Sequence, residues 1–476
     1  MTSREAALRA LTAYRRNKAW PELALGGLIE RYDLSTRDAS LATRILNGVI
    51  QNMMLCDYYI SRFSTIGIKK IEPNVLDILR ISVYQLVFLD KIPPSAAVNE
   101  GVALARKAAN PRAAGFINAV LRKIALSVQN NNLPEITGDP LQRLSIKYSH
   151  PEWLVREISK GFNSHLQNPT QNEKDSGHCR IDGVLPPALT ASSGLCTDTY
   201  AVEQYLAANN NPDLPVFAQV NTLLADVDSA LDSLRADGVD AVRHNWLDNC
   251  IELRGAGNIT RLNAIIKGAI YIQDAAAYLS VMASRPKAGD FIVDGCAAPG
   301  GKSFTATIAM KNKGTIIACD INDEKLKRLD ESAKRLGISI IDIRKNDALT
   351  PEKTLINKAD TVFADVPCSG FGVIRKKPEI RYKTDEDTSG LPDVQLKILT
   401  SLSSYVKPGG ILLYSTCTVL RRENEGVAER FLRENTHFTT EGFSLPGIGN
   451  VDSGMITLWP HIHGTDGFFI CKLKRI

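Results

Sequence analysis

Two cysteines each follow an apolar run of the sequence. Cys368 stands in "FADVPCSGFG" (363–372), and Cys417 stands in "LLYSTCTV" (412–419). A thiolate is a strong nucleophile, although a free cysteine is only a few per cent ionised at neutral pH. A small apolar core residue is the simpler interpretation of either cysteine taken singly, but Asp365 stands three residues before Cys368. The pair predicts nucleophilic chemistry, and on these residues alone either thiol can be the attacking group.

A glycine-rich segment, "DGCAAPGGKS" (294–303), follows another apolar run and opens a helical pattern. Small residues let the backbone approach a ligand, and a helix N-terminus offers unpaired N–H groups to an anionic part of it. The segment differs from a phosphate-binding P-loop, because Gly301 stands where that motif needs Lys and Lys302 comes one place late. The dinucleotide pattern Gly-x-Gly-x-x-Gly is also absent. These departures disfavour an ATPase and a dehydrogenase.

Two acidic residues, together with this glycine-rich segment, outline a cleft that would fit a nucleoside. Asp320 ends the next apolar run, 20 residues after Gly300, where an acid can hold a pair of ribose hydroxyls. Asp347 follows the third apolar run. A helix cap or a turn would explain either acid alone, but the two acids and the glycine segment together predict a nucleoside cofactor.

A nucleoside cofactor beside a cysteine nucleophile suggests carbon–carbon bond formation on a pyrimidine ring. Carbon 5 of cytosine becomes nucleophilic once a thiolate has added to carbon 6. An acid must then protonate or hydrogen-bond the ring nitrogen N3, and a base must remove the carbon-5 proton. Asp365 is the candidate acid, provided that its carboxyl is protonated or shares a proton in the site.

The elements that must position these residues alternate in type. Five β-like runs, separated by helical patterns, occupy residues 291–295, 315–320, 338–343, 361–366 and 410–417. One intervening helix has Asn322 as its candidate N-cap and Gly337 as its terminator. Such alternation predicts an α/β fold with a parallel sheet, in which ligands bind at the carboxyl ends of the strands.

The chain as a whole is predicted to be multidomain. Helical periodicity covers residues 1–127, a linker composition covers 128–148, and a small α+β segment covers 149–261, with a polar insertion near 164–198. The α/β domain then covers 262–476.

The N-terminal part of this 476-residue chain differs in net charge from the remainder. Residues 1–130 hold 18 Lys and Arg against 10 Asp and Glu, a net charge of +8, whereas the remainder has 39 against 42, a net charge of −3. A basic N-terminal segment fits a polyanion-binding module, although a solvated helical surface explains the charge equally well.

The remaining composition bears on compartment and cofactor. Nine scattered cysteines without a Cys-x-x-Cys pair argue against a disulfide framework and a zinc knuckle, so we expect no metal. We also expect a cytoplasmic protein without a membrane partner, since no apolar run approaches the roughly 18 residues of a membrane span and the N-terminus lacks a signal-peptide core.

Nearly the whole chain resembles the ribosomal RNA small-subunit methyltransferase B family (Fmu/Sun), which makes 5-methylcytosine in RNA using S-adenosylmethionine. The segment from "DILRISVYQ" to "NAVLRKI" is similar to the family's NusB-like helical module. "YSHPEWLV" is similar to its linker helix, and "QVNTL" to its small RNA-binding segment. The methyltransferase motifs follow in order: "IQDAAA", "DGCAAPGGKS", "DVPCSGFGVIRKKPEI", "STCTVLRRENE" and "GTDGFFICKLKR".

The resemblance implies a fold and a role for each candidate residue. The fold is an all-α NusB-like domain, a small α+β RNA-binding segment and a Rossmann-like methyltransferase domain. Cys417 would be the nucleophile, and Cys368 would assist release of the product by proton removal. Asp320 would hold the ribose, Asp347 would lie by the adenine, and Asp365 would lie between cofactor and target base. The S-adenosylmethionine loop would comprise Cys296, Ala297, Ala298, Pro299, Gly300, Gly301 and Lys302.

The resemblance also implies a substrate. DNA cytosine methyltransferases use the thiol of the Pro-Cys motif as nucleophile, so the presence of both thiols favours RNA. We therefore expect a monomeric cytosine-C5 methyltransferase of small-subunit (16S) ribosomal RNA that does not act on DNA. Two alternatives stay open at this stage: a transfer RNA substrate, and a non-catalytic RNA-binding or transcription factor that retains the fold.

Overall fold

The structure is a computed structural model that describes residues 1–167, 196–211 and 214–476. Most of the predicted polar insertion near 164–198 therefore lies outside the described residues. The chain divides into two compact units. The N-terminal unit comprises residues 1–156 and 377–382, and the C-terminal unit comprises residues 157–376 and 383–476.

The N-terminal unit is helical, as its apolar periodicity predicts. Thr2 caps the first helix in a reciprocal capping box with Glu5, which pairs two backbone donors that a helix start leaves open. One core of fully buried aliphatic side chains, including Ile45 and Ile78, joins the helices. The helices are α1 (Ser3–Asn17), α2 (Pro21–Arg31), α3 (Thr36–Gln51), α4 (Met53–Phe63), α5 (Pro73–Phe88), α6 (Pro94–Ala108), α7 (Pro111–Gln129) and α8 (Pro140–Tyr148). The next helix, α9 (Glu152–Gln167), contains the division between the two units.

Two features of this unit go beyond the sequence interpretation. The predicted linker, residues 128–148, contains α8, which Asp139 caps by accepting a hydrogen bond from the Gln142 N–H group. The distant segment 377–382 also folds with this unit. Within it, the fully buried Arg381 guanidinium donates to the carbonyl oxygen of Gln51 at 2.7 Å. Such long-range backbone contacts leave no local sequence signal.

The C-terminal unit begins with a small antiparallel sheet. Its strands are β1 (Val216–Val220), β2 (Asp240–Arg243), β3 (Cys250–Arg254) and β4 (Ile270–Ile272), in the order β2-β3-β1-β4. The accompanying helices are α10 (Cys196–Asn209), α11 (Val227–Ala236) and α12 (Asn263–Ile266). Residues 216–223 and 250–255 are predicted strands, and β1 and β3 lie within them.

A larger mixed sheet of eight strands forms the rest of the unit. Strands β9-β8-β5-β6-β7 are adjacent and parallel, whereas β14 pairs antiparallel with β9 and also contacts β10 and β13. The parallel strands are β5 (Phe291–Asp294), β6 (Thr315–Asp320), β7 (Ile341–Lys345), β8 (Ala359–Asp365) and β9 (Val406–Thr416). The antiparallel strands are β10 (Phe438–Thr440), β13 (Met455–Leu458) and β14 (Phe468–Arg475), and a separate pair is β11 (Phe443–Leu445) with β12 (Gly449–Val451).

Helices α13 (Ala275–Ser284), α14 (Gly301–Ala309), α15 (Asp323–Arg335), α16 (Leu391–Ser403), α17 (Glu425–Glu434) and α18 (Pro460–His463) alternate with these strands. The predicted cap of α15 is confirmed, because the Asn322 side chain accepts from the Lys325 N–H group. The predicted fold class, an all-α domain followed by an α+β segment and an α/β domain, is confirmed as well. Among the described residues, no helix is long and apolar enough to cross a membrane.

Candidate active site

The two cysteines of the sequence analysis meet at one edge of the large sheet. Strands β8 and β9 are parallel neighbours in which Asp365 pairs with Ser415, so the chain leaves both strands at the same level. Cys368 follows β8 and Cys417 follows β9, and their sulfur atoms lie 3.0 Å apart without a disulfide bond. A contact this short makes the two thiols one chemical unit.

The two sulfur atoms are not equivalent. A hydrogen bond from the Cys368 thiol lowers the pKa of Cys417, and the nearby Lys302 ammonium acts in the same direction, against burial and the charge of Asp365. The same hydrogen bond, together with burial and the charges of Cys417 and Glu423, raises the pKa of Cys368 well above its ordinary value. The two pKa values are therefore displaced in opposite directions, which favours the thiolate on Cys417 over the thiolate on Cys368.

Packing explains why residue 372, in the loop after Cys368, is a glycine. A Cβ atom on Gly372 would lie 1.8 Å from the carbonyl oxygen of Gly467 and 2.9 Å from that of Cys417. The Gly372 N–H group donates to the same Cys417 oxygen at 2.9 Å. Only glycine lets the loop after β8 lie directly against the backbone of the second cysteine.

Asp365 lies at the carboxyl end of β8 with both of its oxygens engaged. The Lys302 ammonium donates to one oxygen at 2.6 Å, and the Ser415 hydroxyl donates to the other at 2.8 Å. The Lys302 side chain is 10% exposed and the Asp365 side chain is 30% exposed, so the ion pair is partly shielded from water. The sequence interpretation did not include Ser415. Its position in the "STC" motif, on the strand next to β8, is the signal that would have identified it.

The predicted cofactor loop connects β5 to α14. Gly300 precedes the helix in a left-handed conformation (φ 111°), where a side chain would also collide with Phe304. Asp320, at the end of β6, accepts from the Ala298 N–H group at 3.2 Å and from the Asn322 N–H group at 2.9 Å. This carboxylate therefore lies against the loop, and its role in ribose binding stays a prediction.

The other residues predicted to bind the cofactor lie near the same edge of the sheet. Asp347 follows β7 as an exposed side chain that accepts from the Leu349 N–H group at 2.9 Å. Pro299 lies between Ala298 and Gly300, while Ala297 is buried and Cys296 partly buried. The strands β5, β6 and β7 are adjacent, so their carboxyl ends bring these predicted residues to one edge.

Two buried polar atoms beside the loop have no protein partner. The amide nitrogen Nε2 of Gln273 is unpaired although the side chain is 7% exposed, and it would lie 3.2 Å from a Cβ atom on Gly301. Oxygen Oδ1 of Asp294 is unpaired as well, and burial raises the pKa of that carboxyl to about 7. A buried unpaired donor beside a helix N-terminus suits an anionic group, so the loop fits a cofactor with a polar end.

Four charged side chains, of which Lys376 is partly exposed, form a further cluster that the sequence analysis did not anticipate. The Lys376 ammonium donates to Asp274 at 2.6 Å and to Asp466 at 2.7 Å, and Arg375 donates to Asp466 at 2.7 Å. Lys376 also lies over the ring of Phe217, on β1 of the small sheet, at 5.9 Å. The cluster joins the motifs "IQDAAA", "VIRKKPEI" and "GTDGFF", and the charge of Asp466 acts on Cys417.

Comparison with known proteins shows the family of this chain. Residues 281–474 match the family described as 16S rRNA methyltransferase RsmB/F, and residues 1–126 match the NusB family. The probable ribosomal RNA small subunit methyltransferase B of Bacillus subtilis is 34% identical over 99% of this chain and 98% of its own length. The chain belongs to the ribosomal RNA small subunit methyltransferase B family.

One further relative and two solved structures are similar to this chain. The ribosomal RNA small subunit methyltransferase B of an Enterobacter species is 27% identical over 93% of this chain and 92% of its own length. Among solved structures, PH0851 has a TM-score of 0.74 at 26% identity and covers 99% of this chain and 98% of that one. NSun6 from Pyrococcus horikoshii, solved with SFG, shares the fold of 58% of this chain at a TM-score of 0.52 and 22% identity, over 95% of its own length. The resemblance stated from the motifs is confirmed.

Proposed function

We propose that this protein is an S-adenosylmethionine-dependent methyltransferase that forms 5-methylcytosine in small-subunit ribosomal RNA through a covalent adduct with Cys417. The observation that carries the proposal is the contact between Cys368 and Cys417, whose sulfur atoms lie 3.0 Å apart, with the pKa of Cys417 lowered and that of Cys368 raised. Membership of the RsmB/F family supports a methyltransferase, and the names of the relatives support a ribosomal RNA substrate.

The proposed reaction begins with Cys417. Its thiolate adds to carbon 6 of cytosine, which makes carbon 5 nucleophilic, while the ring takes up a proton at N3. The Lys302 ammonium donates to Asp365 at 2.6 Å, and we assign this pair to deliver the proton at N3. S-adenosylmethionine supplies the methyl group that carbon 5 acquires.

Release is the proposed role of Cys368. Once Cys417 is bonded to carbon 6, its sulfur carries no charge and no longer needs the Cys368 hydrogen bond. The charge of Cys417 and that hydrogen bond are two of the causes that raise the pKa of Cys368, so adduct formation removes both. Cys368 then gives up its own proton to solvent, and the resulting thiolate removes the carbon-5 proton. The bond from carbon 6 to Cys417 breaks, the N3 proton returns to the Lys302–Asp365 pair, and 5-methylcytosine is released.

We assign the cofactor to the loop between β5 and α14. Asp320 binds the ribose hydroxyls, and Asp347 lies by the adenine. The loop residues Cys296 to Lys302 and the unpaired Gln273 amide line the rest of the cofactor. The target base must leave its stack to reach Cys417, so accessible or unpaired RNA is the proposed substrate.

The N-terminal unit is assigned to hold the RNA backbone. Its match to the NusB family and its net positive charge support this role. Basic side chains on α6 and α7 are exposed, among them Arg106, Arg112 and Lys123. Binding through such side chains weakens as salt rises, because phosphate neutralisation releases counterions.

One experiment tests the proposal directly. Cys368→Ala protein is incubated with S-adenosylmethionine and unmodified ribosomal RNA and is then run on a denaturing gel. We expect a cofactor-dependent protein–RNA adduct that disappears in the Cys368→Ala, Cys417→Ala double variant. A folded, cofactor-binding Cys368→Ala protein that gives no adduct with ribosomal RNA contradicts the proposal, and an adduct only with transfer RNA transfers the activity to that substrate.

A further inference from the structure

A network of buried polar side chains lies behind the two thiols, and the reaction steps above do not use it. Its centre is the dipeptide Glu423-Asn424, which immediately precedes α17. Both side chains are 0% exposed. A buried carboxylate and a buried amide next to each other are costly unless they are hydrogen-bonded, so their partners indicate what they do.

Glu423 and its neighbour Gln395 hold the chain on both sides of Cys368. Oxygen Oε2 of Glu423 accepts from the Ser369 N–H group at 2.9 Å. The Gln395 amide donates to the same carboxylate oxygen at 2.9 Å and to the carbonyl oxygen of Pro367 at 3.1 Å. The residues before and after Cys368 are therefore fixed by one pair of buried side chains.

Asn424 holds the chain on both sides of Cys417 in the same manner. Its oxygen Oδ1 accepts from the Thr416 hydroxyl at 2.6 Å, and its nitrogen Nδ2 donates to the carbonyl oxygen of Thr418 at 3.0 Å. A direct contact then joins the two loops, since the hydroxyl of Ser369 donates to that of Thr418 at 2.9 Å. Adjacent residues of one short segment thus hold the flanks of the two thiols.

We infer that Glu423 and Asn424 are positioning residues that set the separation of the two sulfur atoms, so that the Cys368 thiol donates its hydrogen bond to Cys417. A thiol is a weak donor, and its hydrogen bond is lost when the partner moves away or out of line. The hydrogen bonds of Glu423 and Asn424 hold the residues that flank both cysteines, and the two sulfur atoms lie 3.0 Å apart. The inference deepens the proposed function by naming what keeps Cys417 in its reactive form.

The charged groups around the pair permit a test that separates geometry from charge. Cys417 faces Asp365, Lys302 and Asp466, and Cys368 faces Asp365 and Glu423. Replacing Glu423 would change both the geometry and the charge. Replacing the neutral Asn424 changes the geometry alone, so Asn424→Ala is the informative variant.

The test measures the rate at which iodoacetamide alkylates Cys417, by mass spectrometry of its peptide, between pH 6 and 10. It needs neither RNA nor S-adenosylmethionine, so its result stands even if no RNA is methylated. In Asn424→Ala we expect the midpoint of the rate profile to rise by about half to one pH unit, which is a three- to tenfold loss of thiolate below the midpoint. Cys368→Ala, which removes the donor itself, sets the upper limit of the shift.

The matched control is Asn435→Ala at the other end of α17. Its amide donates to the Phe431 carbonyl oxygen at 3.0 Å, so the same substitution also removes a side-chain hydrogen bond to the backbone, but at the opposite end of α17 from Asn424. We expect both variants to lose thermal stability and only Asn424→Ala to shift the profile. Equal profiles for the two variants would show that Asn424 has a structural role alone and would overturn the inference.

A second variant decides the question if Asn424→Ala does not fold. Thr416→Val keeps the side-chain shape and removes only the hydroxyl that donates to Asn424. A midpoint shifted upward in the same direction supports the inference. An unshifted midpoint in folded Thr416→Val protein overturns it.

Discussion

Cys471 and Cys417 belong to neighbouring strands of one sheet, yet their thiols are opposite in character. Cys471 lies within β14 and pairs with Tyr414 of β9, and Cys417 follows the end of β9. Burial, with a smaller effect of the charge of Glu425, raises the pKa of Cys471. The hydrogen bond from Cys368 lowers the pKa of Cys417, even though burial opposes it. The pKa values of the two thiols differ because Cys417 has a hydrogen-bond donor beside it, and not because of the residue type or the strand.

Cys250 extends the comparison to the small sheet. The Gln219 amide nitrogen lies 3.4 Å from its sulfur and lowers its pKa slightly, but burial dominates and raises that pKa to about 12. A neutral amide donor in the middle of a sheet therefore does not produce a thiolate. The end of a strand differs because a second loop can bring a thiol donor and a lysine to the same sulfur.

The largest expected effect is on turnover. Cys417→Ala should abolish methylation, by at least about 10³-fold, because it removes the attacking sulfur. Cys471→Ala is the matched control and should leave turnover unchanged. The measurements are methyl incorporation into ribosomal RNA and the affinity for S-adenosylmethionine, which neither substitution should change. Multiple turnover by Cys417→Ala would refute the assignment of the nucleophile.

A smaller effect is expected from Lys302→Met. This substitution keeps the length of the side chain but removes the ammonium that pairs with Asp365, so we expect a loss of about 10²-fold in single-turnover methylation. Lys325→Met, at an exposed position on α15, is the control and should be silent. An unchanged rate in a folded Lys302→Met protein would remove the ion pair from the mechanism.

The pH dependence of adduct formation tests whether the pKa of Cys417 is lowered. Because Cys417 attacks as the thiolate and its pKa is lowered, the rate should rise with pH and level off below the range of an ordinary cysteine. Removing the donor in Cys368→Ala restores a higher pKa, so the plateau should move to higher pH. A plateau at the same pH in both proteins would mean that Cys368 does not set the ionisation of Cys417.

The smallest effect on activity is expected at Cys471. Cys471→Ser places a hydroxyl in a fully buried position, which should destabilise folding by about 1–3 kcal/mol if the hydroxyl finds no partner. Methylation by the folded fraction should stay at the wild-type level. Thermal unfolding gives the first quantity, and a rate normalised to folded protein gives the second. A large loss of normalised rate would place Cys471 in the site.

Much of the fold could be predicted because its signals are local. The apolar runs 315–320 and 361–366 lie within a residue or two of β6 and β8, since strand formation follows from neighbouring side chains. The cap Asn322 is equally local. The antiparallel strands β10, β13 and β14 were not anticipated, and neither was the place of segment 377–382 in the N-terminal unit, because both depend on contacts far apart in the sequence.

The sequence by itself determined the kind of chemistry: two thiols, a glycine loop and acids at the ends of predicted strands, in motifs that lead to one family. The residues alone left the choice between Cys368 and Cys417 open. In the tertiary structure the two sulfur atoms lie 3.0 Å apart, with the pKa of Cys417 lowered and that of Cys368 raised, and Ser415, Glu423 and Asn424 join the residues that hold the site. The physical reason is that ionisation depends on donors, charges and burial within a few ångströms of the group, whereas strands and helices depend on residues adjacent in the chain.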